Sequence, residues 1–385
     1  MKKLRIALAG GGTGGHIIPL IAVAQELNKQ SSNFGIELDM RYFGSAYDYA
    51  ELLMENGIRF VPIYSSKFRR YWSALNLIDF VKFFLSLFQL FWKLFWFMPD
   101  MIFSKGGPGA LAVVLAGRFY MIPTIIHESD SVPGLTNKIS GRFAKKIFLS
   151  FAKAEDYFSK NKNIEVVGNP VRESLFQQAA NLGQEIETAP KNAKRGFGMN
   201  PEEPLILVLG GSQGAERLNN FILENLGVLT KDFQILHQVG KNNYQSYKNE
   251  YEFAANDRNN SKKNRYTFKA FFNEDMADAL MAADLVISRA GSGNIFEIAA
   301  FGKPAILVPL PESANNHQKE NAYLYSQSGG AIIIEEENLL AHLVMEEINK
   351  ILKNKDLTQK MGSAAKSFYR PDAAFIIAKH LLGYL

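Results

Sequence analysis

The chain has 385 residues, 47% of them hydrophobic and 21% charged, with a formal net charge of +5. That length exceeds what one hydrophobic core usually serves, so two globular domains are expected. The absence of cysteine excludes a disulfide framework, a thiolate metal site and a cysteine nucleophile, and it fits a reducing cytoplasm.

Short apolar runs alternate with helical patterns along the whole chain, with no repeat of solenoid length, which is the pattern of parallel α/β sheets. The start, Met1 to Ala9, has the charged and apolar parts of a signal peptide. Its apolar stretch is short and enters a glycine turn directly, so Leu4–Ala9 is read as a first strand. Gly10-Gly11-Gly12-Thr13-Gly14-Gly15-His16 then opens a helix. Such a turn lets bare backbone N–H groups and a helix N-terminus approach an anionic group.

Gly10, Gly12 and Gly15 satisfy the loose spelling of a dinucleotide site, a weak signal taken alone. A nicotinamide site also needs an acid closing the second strand. Here Leu38–Phe43 runs into Gly44-Ser45, and Asp39 lies too early to serve. His16 follows the turn where an imidazole reaches a substrate held by the loop, and an ordinary histidine suits proton transfer near neutrality. The plainer alternative is a histidine that caps the helix.

Lys67, Arg69 and Arg70 precede a segment from Leu77 to Met98 that holds Phe80, Phe83, Phe84, Phe88, Phe91, Trp92, Phe95, Trp96 and Phe97. Asp79, Lys82, Gln89 and Lys93 interrupt it, leaving apolar runs far below the roughly 20 residues of a spanning helix. A helix lying in the membrane interface is expected. Phe88, Trp92 and Trp96 would enter the headgroup boundary, and the basic residues would meet anionic lipid. The alternative is a buried helix whose lysines snorkel to the surface.

Further strands are read at Met101–Phe103, Thr124–His127, Lys146–Leu149 and Ile164–Val167. A domain boundary is read after Gly168-Asn169-Pro170, giving domains of 1–169 and 170–371. The polar stretch Gln177 to Pro204 reads as a linker or variable surface helix. Second-domain strands follow at Leu205–Leu209, Gln234–Gln238, Tyr266–Ala270, Leu285–Ser288, Ala305–Val308 and Ala331–Ile334. A second glycine turn, Gly210-Gly211-Ser212-Gln213-Gly214-Ala215, follows the first of these. Glu297 sits on the helix after Ser288-Arg289-Ala290-Gly291-Ser292-Gly293, where one reading is a glutamate stabilised by the helix dipole. A last helix, Ala373 to Leu382, is expected to return to the first domain, as part of a 372–385 tail.

Six ordered blocks together carry a resemblance. They are Gly11 to Pro19; His127-Glu128 through Lys138; Gly168 to Arg172; Gly210 to Ala215; Ser288 to Gly291 through Glu297; and Asn316-His317-Gln318 with Asn321-Ala322. The chain resembles the MurG family of peptidoglycan glycosyltransferases from Leu4 to about Gly330. The resemblance implies two Rossmann-like domains facing across a cleft, the GT-B fold. It also implies inverting transfer of N-acetylglucosamine from UDP-N-acetylglucosamine to the C4 hydroxyl of the undecaprenyl-diphosphate-linked muramoyl-pentapeptide, making lipid II from lipid I.

By the same analogy Glu297 binds ribose, with Ser292, Gly293 and Asn294 beside it. Ser212 and the following amides contact phosphate, and Asn273 stands where the family uses backbone contacts to uracil. Arg172 matches a donor-site residue, His317 and Gln318 contact the sugar, and Thr13, Gly14, Gly15 and Asp130 join the donor set. His16 is the candidate base. Positive potential for the leaving diphosphate is expected from Ser212, Arg172 and the two helix N-termini, with no metal or other cofactor. The expected place is the cytoplasmic face of the bacterial plasma membrane, peripherally bound, with anionic lipid as partner and no nucleic acid.

Three departures from the usual pattern bear on this. His127-Glu128-Ser129-Asp130 ends in serine-aspartate where many members have glutamine-asparagine, so Asp130 is a second candidate base. The loop Lys105-Gly106-Gly107-Pro108-Gly109 differs after its paired glycines. Ser292-Gly293-Asn294 departs from the usual small-residue and threonine pattern. Two alternatives stand beside this reading: a related transferase with another lipid acceptor or nucleotide sugar, and a non-catalytic membrane-peripheral binder of nucleotide sugars.

Overall fold

The structure is a computed structural model; it describes residues 2–64, 75–158, 163–176, 188–211, 215–256 and 265–383, except for the side chains of 75–80 and 255–256. The chain divides into two compact units, Met1–Arg172 with Arg370–Leu385, and Glu173–Tyr369.

The first unit holds a parallel sheet of seven strands: β1 Lys2–Ala9, β2 Ile36–Gly44, β3 Ile58–Pro62, β4 Met101–Ser104, β5 Thr124–Glu128, β6 Lys146–Leu149 and β7 Ile164–Val166. Their order is β3-β2-β1-β4-β5-β6-β7. One strand, β3, was not anticipated. It lies at the sheet edge beside β2, and its half-exposed Arg59-Phe60-Val61 and terminal Pro62 blur the apolar run that marks a strand buried on both faces.

Strand β1 is buried on both sides, and its alternating side chains feed two cores. Leu4, Ile6 and Leu8 join Ile17, Leu20, Ile21 and Leu27 of the helix Gly14–Phe34. Ile377 and Leu381 of the helix Ala373–Leu382 enter the same core, so the chain end belongs to the first unit. Ala7 and Ala9 face the other way, onto Val113 and Ala116 of the helix Ala110–Phe119 and Leu90, Leu94 and Phe97 of the helix Leu75–Phe97.

The second unit repeats the plan with six parallel strands: β8 Leu205–Leu209, β9 Gln234–Gln238, β10 Tyr266–Lys269, β11 Leu285–Ser288, β12 Ala305–Leu307 and β13 Ala331–Ile333. Their order is β10-β9-β8-β11-β12-β13. The polar stretch before β8 contains the helix Ala189–Gly196, which packs on the helix Met276–Ala282. It is more than a linker: Ala189, Ala193 and Lys194 are buried, and the Lys194 ammonium bonds Asp284 at 2.7 Å and the Glu203 carbonyl at 2.8 Å. The remainder of that stretch, 177–187, lies outside the described residues.

In each sheet the chain order reverses direction between two adjacent strands, β1 and β4 in the first unit and β8 and β11 in the second. Crevices at the carboxyl ends of such strand pairs are where doubly wound folds bind ligands. Both glycine turns leave those ends, after β1 and after β8.

Candidate active site

At the first switch point, Thr13 has extended backbone and caps the helix Gly14–Phe34 from outside, while its carbonyl accepts the amides of His16 and Ile17. Its hydroxyl lies 3.0 Å from His16 Nδ1. Gly14 is buried and Gly15 is exposed, with nothing within 4 Å of where a Cβ would stand, so this corner of the turn is open.

His16 is half-buried between two glycines. A Cβ on Gly11 would meet His16 Nδ1 at 2.8 Å, and one on Gly107 would meet His16 Nε2 and the Gly11 nitrogen, both at 2.8 Å. Gly107 also has φ +84, so backbone strain and space both require glycine there. The two glycine loops of this unit therefore close on the imidazole. Tyr42, buried at the end of β2, donates its hydroxyl to the Gly10 carbonyl at 2.8 Å and lies 3.3 Å from that of Gly11. It occupies the strand end where a dinucleotide site keeps its acid.

The loop after β4 is anchored by Lys105, whose amide donates to the Ala9 carbonyl at 2.8 Å and whose side chain is buried. Thr136 on the helix Leu135–Ser140 donates to the Gly107 carbonyl at 3.2 Å. Asp130, half-buried after β5, donates its amide to Glu128 Oε1 at 2.9 Å, and Glu128 Oε2 accepts from Asn137 Nδ2 at 2.9 Å. Burial, and next the neighbouring Asp130, push the Glu128 carboxyl above the usual carboxylate range. Burial pushes the Lys105 ammonium below the usual lysine range, against the pull of Glu128 and Asp130. The sequence analysis gave no individual role to Lys105, Glu128, Asn137 or Tyr42, although the first three lay in stretches it quoted. The lysine directly before the paired glycines, and a hydroxyl-bearing aromatic at the end of the second strand, were the available signals.

At the second switch point Gly211 has φ +81 and open space around it, and Ala215 precedes the helix Glu216–Asp232. Ser212, Gln213 and Gly214 lie outside the described residues. After β11, Gly291 precedes the helix Ser292–Ala300; Gly291 and Gly293 have nothing within 4 Å of a Cβ, so this helix N-terminus is also open. Asn294 donates to Ser288 Oγ at 2.9 Å, while Ser292 is buried. Glu297 is buried beyond the first turn of that helix, so stabilisation by the N-terminal dipole is not its main role.

Arg289 is buried against Glu336 and donates to the Val308 carbonyl at 3.2 Å; Glu336 also pairs with Arg217. Asn273 is half-buried, its amide donating to Asp275 Oδ1 at 3.2 Å. His317 and Gln318 begin the helix His317–Ser326 behind two left-handed asparagines, Asn315 and Asn316. Gln318 Oε1 accepts the Leu310 amide at 3.1 Å, which commits that oxygen to the loop. Asn321, fully buried, donates to the Ala290 carbonyl at 3.3 Å. Arg172 is buried at the end of the first unit's main segment.

On the helix Leu75–Phe97, one face is core. The opposite face carries Phe84, Leu85, Phe88, Trp92, Phe95 and Trp96, with Phe88 77%, Trp92 65% and Trp96 69% exposed. Phe119 and Met121, 69% and 81% exposed, lie on the neighbouring helix and its end. Lys67, Arg69 and Arg70 lie outside the described residues. Among the described residues no helix is long and apolar enough to cross a membrane.

Residues 6–149 match the glycosyltransferase family 28 N-terminal domain, and residues 205–375 the family 28 C-terminal domain. A UDP-N-acetylglucosamine–N-acetylmuramyl-(pentapeptide) pyrophosphoryl-undecaprenol N-acetylglucosamine transferase from Legionella pneumophila (strain Paris) is 34% identical over 97% of this chain and 96% of its own length. Among solved structures, MurG from Acinetobacter baumannii is 25% identical, covers 99% of both chains and superposes with a TM-score of 0.67. A UDP-GlcNAc 2-epimerase from Neisseria meningitidis, bound to UDP-GlcNAc, is 15% identical over 99% of this chain and all of its own, with a TM-score of 0.68, a likeness of fold alone.

Proposed function

The chain belongs to the family of undecaprenol-linked peptidoglycan N-acetylglucosaminyltransferases, with a two-domain GT-B fold, and on that premise we propose how its own residues divide the work. It transfers N-acetylglucosamine from UDP-N-acetylglucosamine to the lipid-linked muramoyl-pentapeptide, lipid I, giving lipid II. The acceptor's C4 hydroxyl attacks the anomeric carbon, its proton passes to a base, and uridine diphosphate leaves from the opposite face.

His16 is the base in this reading. The observation that carries it is the imidazole held between Gly11 and Gly107, with Nδ1 beside the Thr13 hydroxyl. If Nδ1–H donates to Thr13 Oγ1, Nε2 is the unprotonated nitrogen of that tautomer and the one that takes the proton. Thr13, Gly14 and Gly15 present the open helix N-terminus next to it. In the second unit, the Gly211 turn with Ser212 and the open N-terminus at Ser292-Gly293-Asn294 supply donors for the diphosphate, while Glu297 accepts from the ribose. Asn273 contacts the base through its backbone, His317 and the Gln318 amide nitrogen read the sugar, and Arg172 assists the leaving group.

The exposed Phe88, Trp92 and Trp96 support docking on an anionic membrane, with Lys67, Arg69 and Arg70 adding charge attraction. In this reading the enzyme works peripherally on the cytoplasmic face of the plasma membrane, where a nucleotide sugar and a lipid-linked acceptor meet.

Comparing His16→Ala with Asp130→Asn in steady-state kinetics tests the base assignment. His16→Ala is expected to lower kcat about 100-fold with donor affinity little changed. A mild His16→Ala effect beside an inactive Asp130→Asn variant would transfer the role to Asp130.

A further inference from the structure

Ser129-Asp130 after β5 and the loop after β4 meet in the folded chain at a side chain the proposed reaction does not use. Lys105 is 2% exposed, yet its ammonium donates to Ser129 Oγ, to His127 Nδ1 and, at 3.3 Å, to Asn169 Oδ1. His127 is no counter-charge: its Nε2–H is committed to the Gly168 carbonyl at 2.9 Å, and burial, with Lys105 adding to it, holds the ring neutral. The charge of Glu128, and next that of Asp130, favours the ammonium form of Lys105. The Glu128 carboxylate closes a tight turn around Ser129 by accepting the Asp130 amide. Two carboxylates so near each other disfavour one another's ionised forms, and a buried ammonium at the same strand end offsets that.

We propose that Lys105 is a positioning residue for the transfer reaction: it supplies the counter-charge of the Glu128–Asp130 turn and holds that turn in register with the Gly106–Gly109 loop. The proposal rests on the reading of Asp130 as a substrate-side group. Lys105 itself, being enclosed, acts through Ser129 and Asp130 and does not touch substrate.

Lys105→Met keeps the length of the side chain and removes its charge and its donors. On a water-soluble lipid I analogue it is expected to lower kcat at pH 7 at least about 10-fold and to move the acid limb of the kcat–pH profile upward. KM for UDP-N-acetylglucosamine should change less than about 2-fold. In an Asp130→Asn background the same substitution should cost at most about a third as much, because one of the carboxyls needing the charge is gone. Effects that simply multiply, or an unmoved acid limb, overturn the proposal.

A second measurement needs neither an active enzyme nor a change at Lys105. In the unfolded chain this lysine ionises normally, whereas in the folded chain its charged form is favoured by Glu128 and, next, by Asp130. Asp130→Asn should therefore be less stable than wild type at about pH 6.5, by a margin in unfolding midpoint that shrinks toward about pH 9.5 as the buried amine loses its proton. A margin equal at both pH values overturns the counter-charge, whatever the transfer assay gives. Absence of transfer by the wild type, with the shrinking margin intact, would instead refute the functional reading alone.

Discussion

Tyr42→Phe isolates one atom that supports the first glycine turn, next to the proposed base. The ring of Tyr42 is fully buried and stacks on Phe60 at 6.2 Å, contacts that phenylalanine preserves, so the substitution removes only the hydroxyl held 2.8 Å from the Gly10 carbonyl. Burial holds the phenol above the usual tyrosine range, so it remains a donor throughout the working pH range. A neutral hydrogen bond contributes about 0.5–1.5 kcal/mol net, and a buried carbonyl left unpaired costs about 1–3 kcal/mol. Urea unfolding should therefore show a loss of about 1–2 kcal/mol with an unchanged m-value.

The same change should reach the chemistry, because Gly10 and Gly11 form the wall against which His16 packs: a Cβ on Gly10 would lie 3.4 Å from the His16 Cβ. A loop free to shift by a fraction of an ångström misplaces the imidazole, so kcat is expected to fall about 10-fold while KM for the donor holds. A stability loss under about 0.5 kcal/mol together with an unchanged kcat would refute the reasoning. Lost stability with unchanged kcat would leave Tyr42 a support of the fold and remove it from the site.

Other expectations follow from single side chains. Glu297→Ala should weaken uridine diphosphate binding by about 1.5–3 kcal/mol in calorimetry, the range for a charged hydrogen bond, and should abolish most of the preference for ribose over 2′-deoxyribose; unchanged affinity would remove Glu297 from the donor site. Phe88→Ser with Trp92→Ser should leave the unfolding midpoint nearly unchanged, since both side chains face outward, yet eliminate flotation with anionic vesicles at high salt; a double variant that unfolds, or floats as before, contradicts the membrane face. His237, whose Nε2 faces Asn219 Oδ1 at 3.1 Å and whose Nδ1 faces the Tyr266 hydroxyl at 3.0 Å, is pushed down to about 3 by burial. Its contribution is thus fully present above the ordinary histidine pKa of about 6.5 and is lost as pH falls toward the folded value, so stability should decline below about pH 6.5 by up to about 1.4 kcal/mol per pH unit for this group; a His237→Gln variant with the same acid slope as wild type would show the loss arises elsewhere.

Strands buried on both faces were legible, and so were the half-buried edge strands Ile164–Val166 and Tyr266–Lys269, each read one residue too long. Leu205–Leu209 and Gln234–Gln238 are buried at every position and were read with their bounds, whereas Ile58–Pro62 sits at an edge with Arg59 exposed and Pro62 at its end, and offered no such run. The helix Leu75–Phe97 shows how a composition signal resolves in three dimensions. Its aromatics divide between a core face holding Phe97 and an outer face holding Phe88, Trp92 and Trp96, so neither a purely buried nor a purely exposed helix describes it.

In the site, the glycine turns and His16 were visible because local backbone chemistry demands those residues in that order. The roles of Lys105, Tyr42 and Asn169 were not, although two of them lay in quoted stretches, because those roles arise only when the ends of β2, β4, β5 and β7 are brought together by the sheet order. Asn321 is a similar case in the second unit: the sequence marked it only as part of a block of resemblance, and in the fold it is a buried donor to the loop after β11.

The central claim is group transfer to a lipid-linked acceptor, and a fold shared with a UDP-GlcNAc 2-epimerase makes the fate of the sugar the decisive observation. Purified protein should be incubated with UDP-N-acetylglucosamine labelled in the sugar and a short-chain lipid I analogue, and both the lipid and the nucleotide pools resolved. The account predicts label in a disaccharide lipid, one uridine diphosphate released for each sugar transferred, and loss of both with His16→Ala. Label that stays on the nucleotide, as unchanged or epimerised sugar, or that appears as free sugar with no labelled lipid, would contradict it.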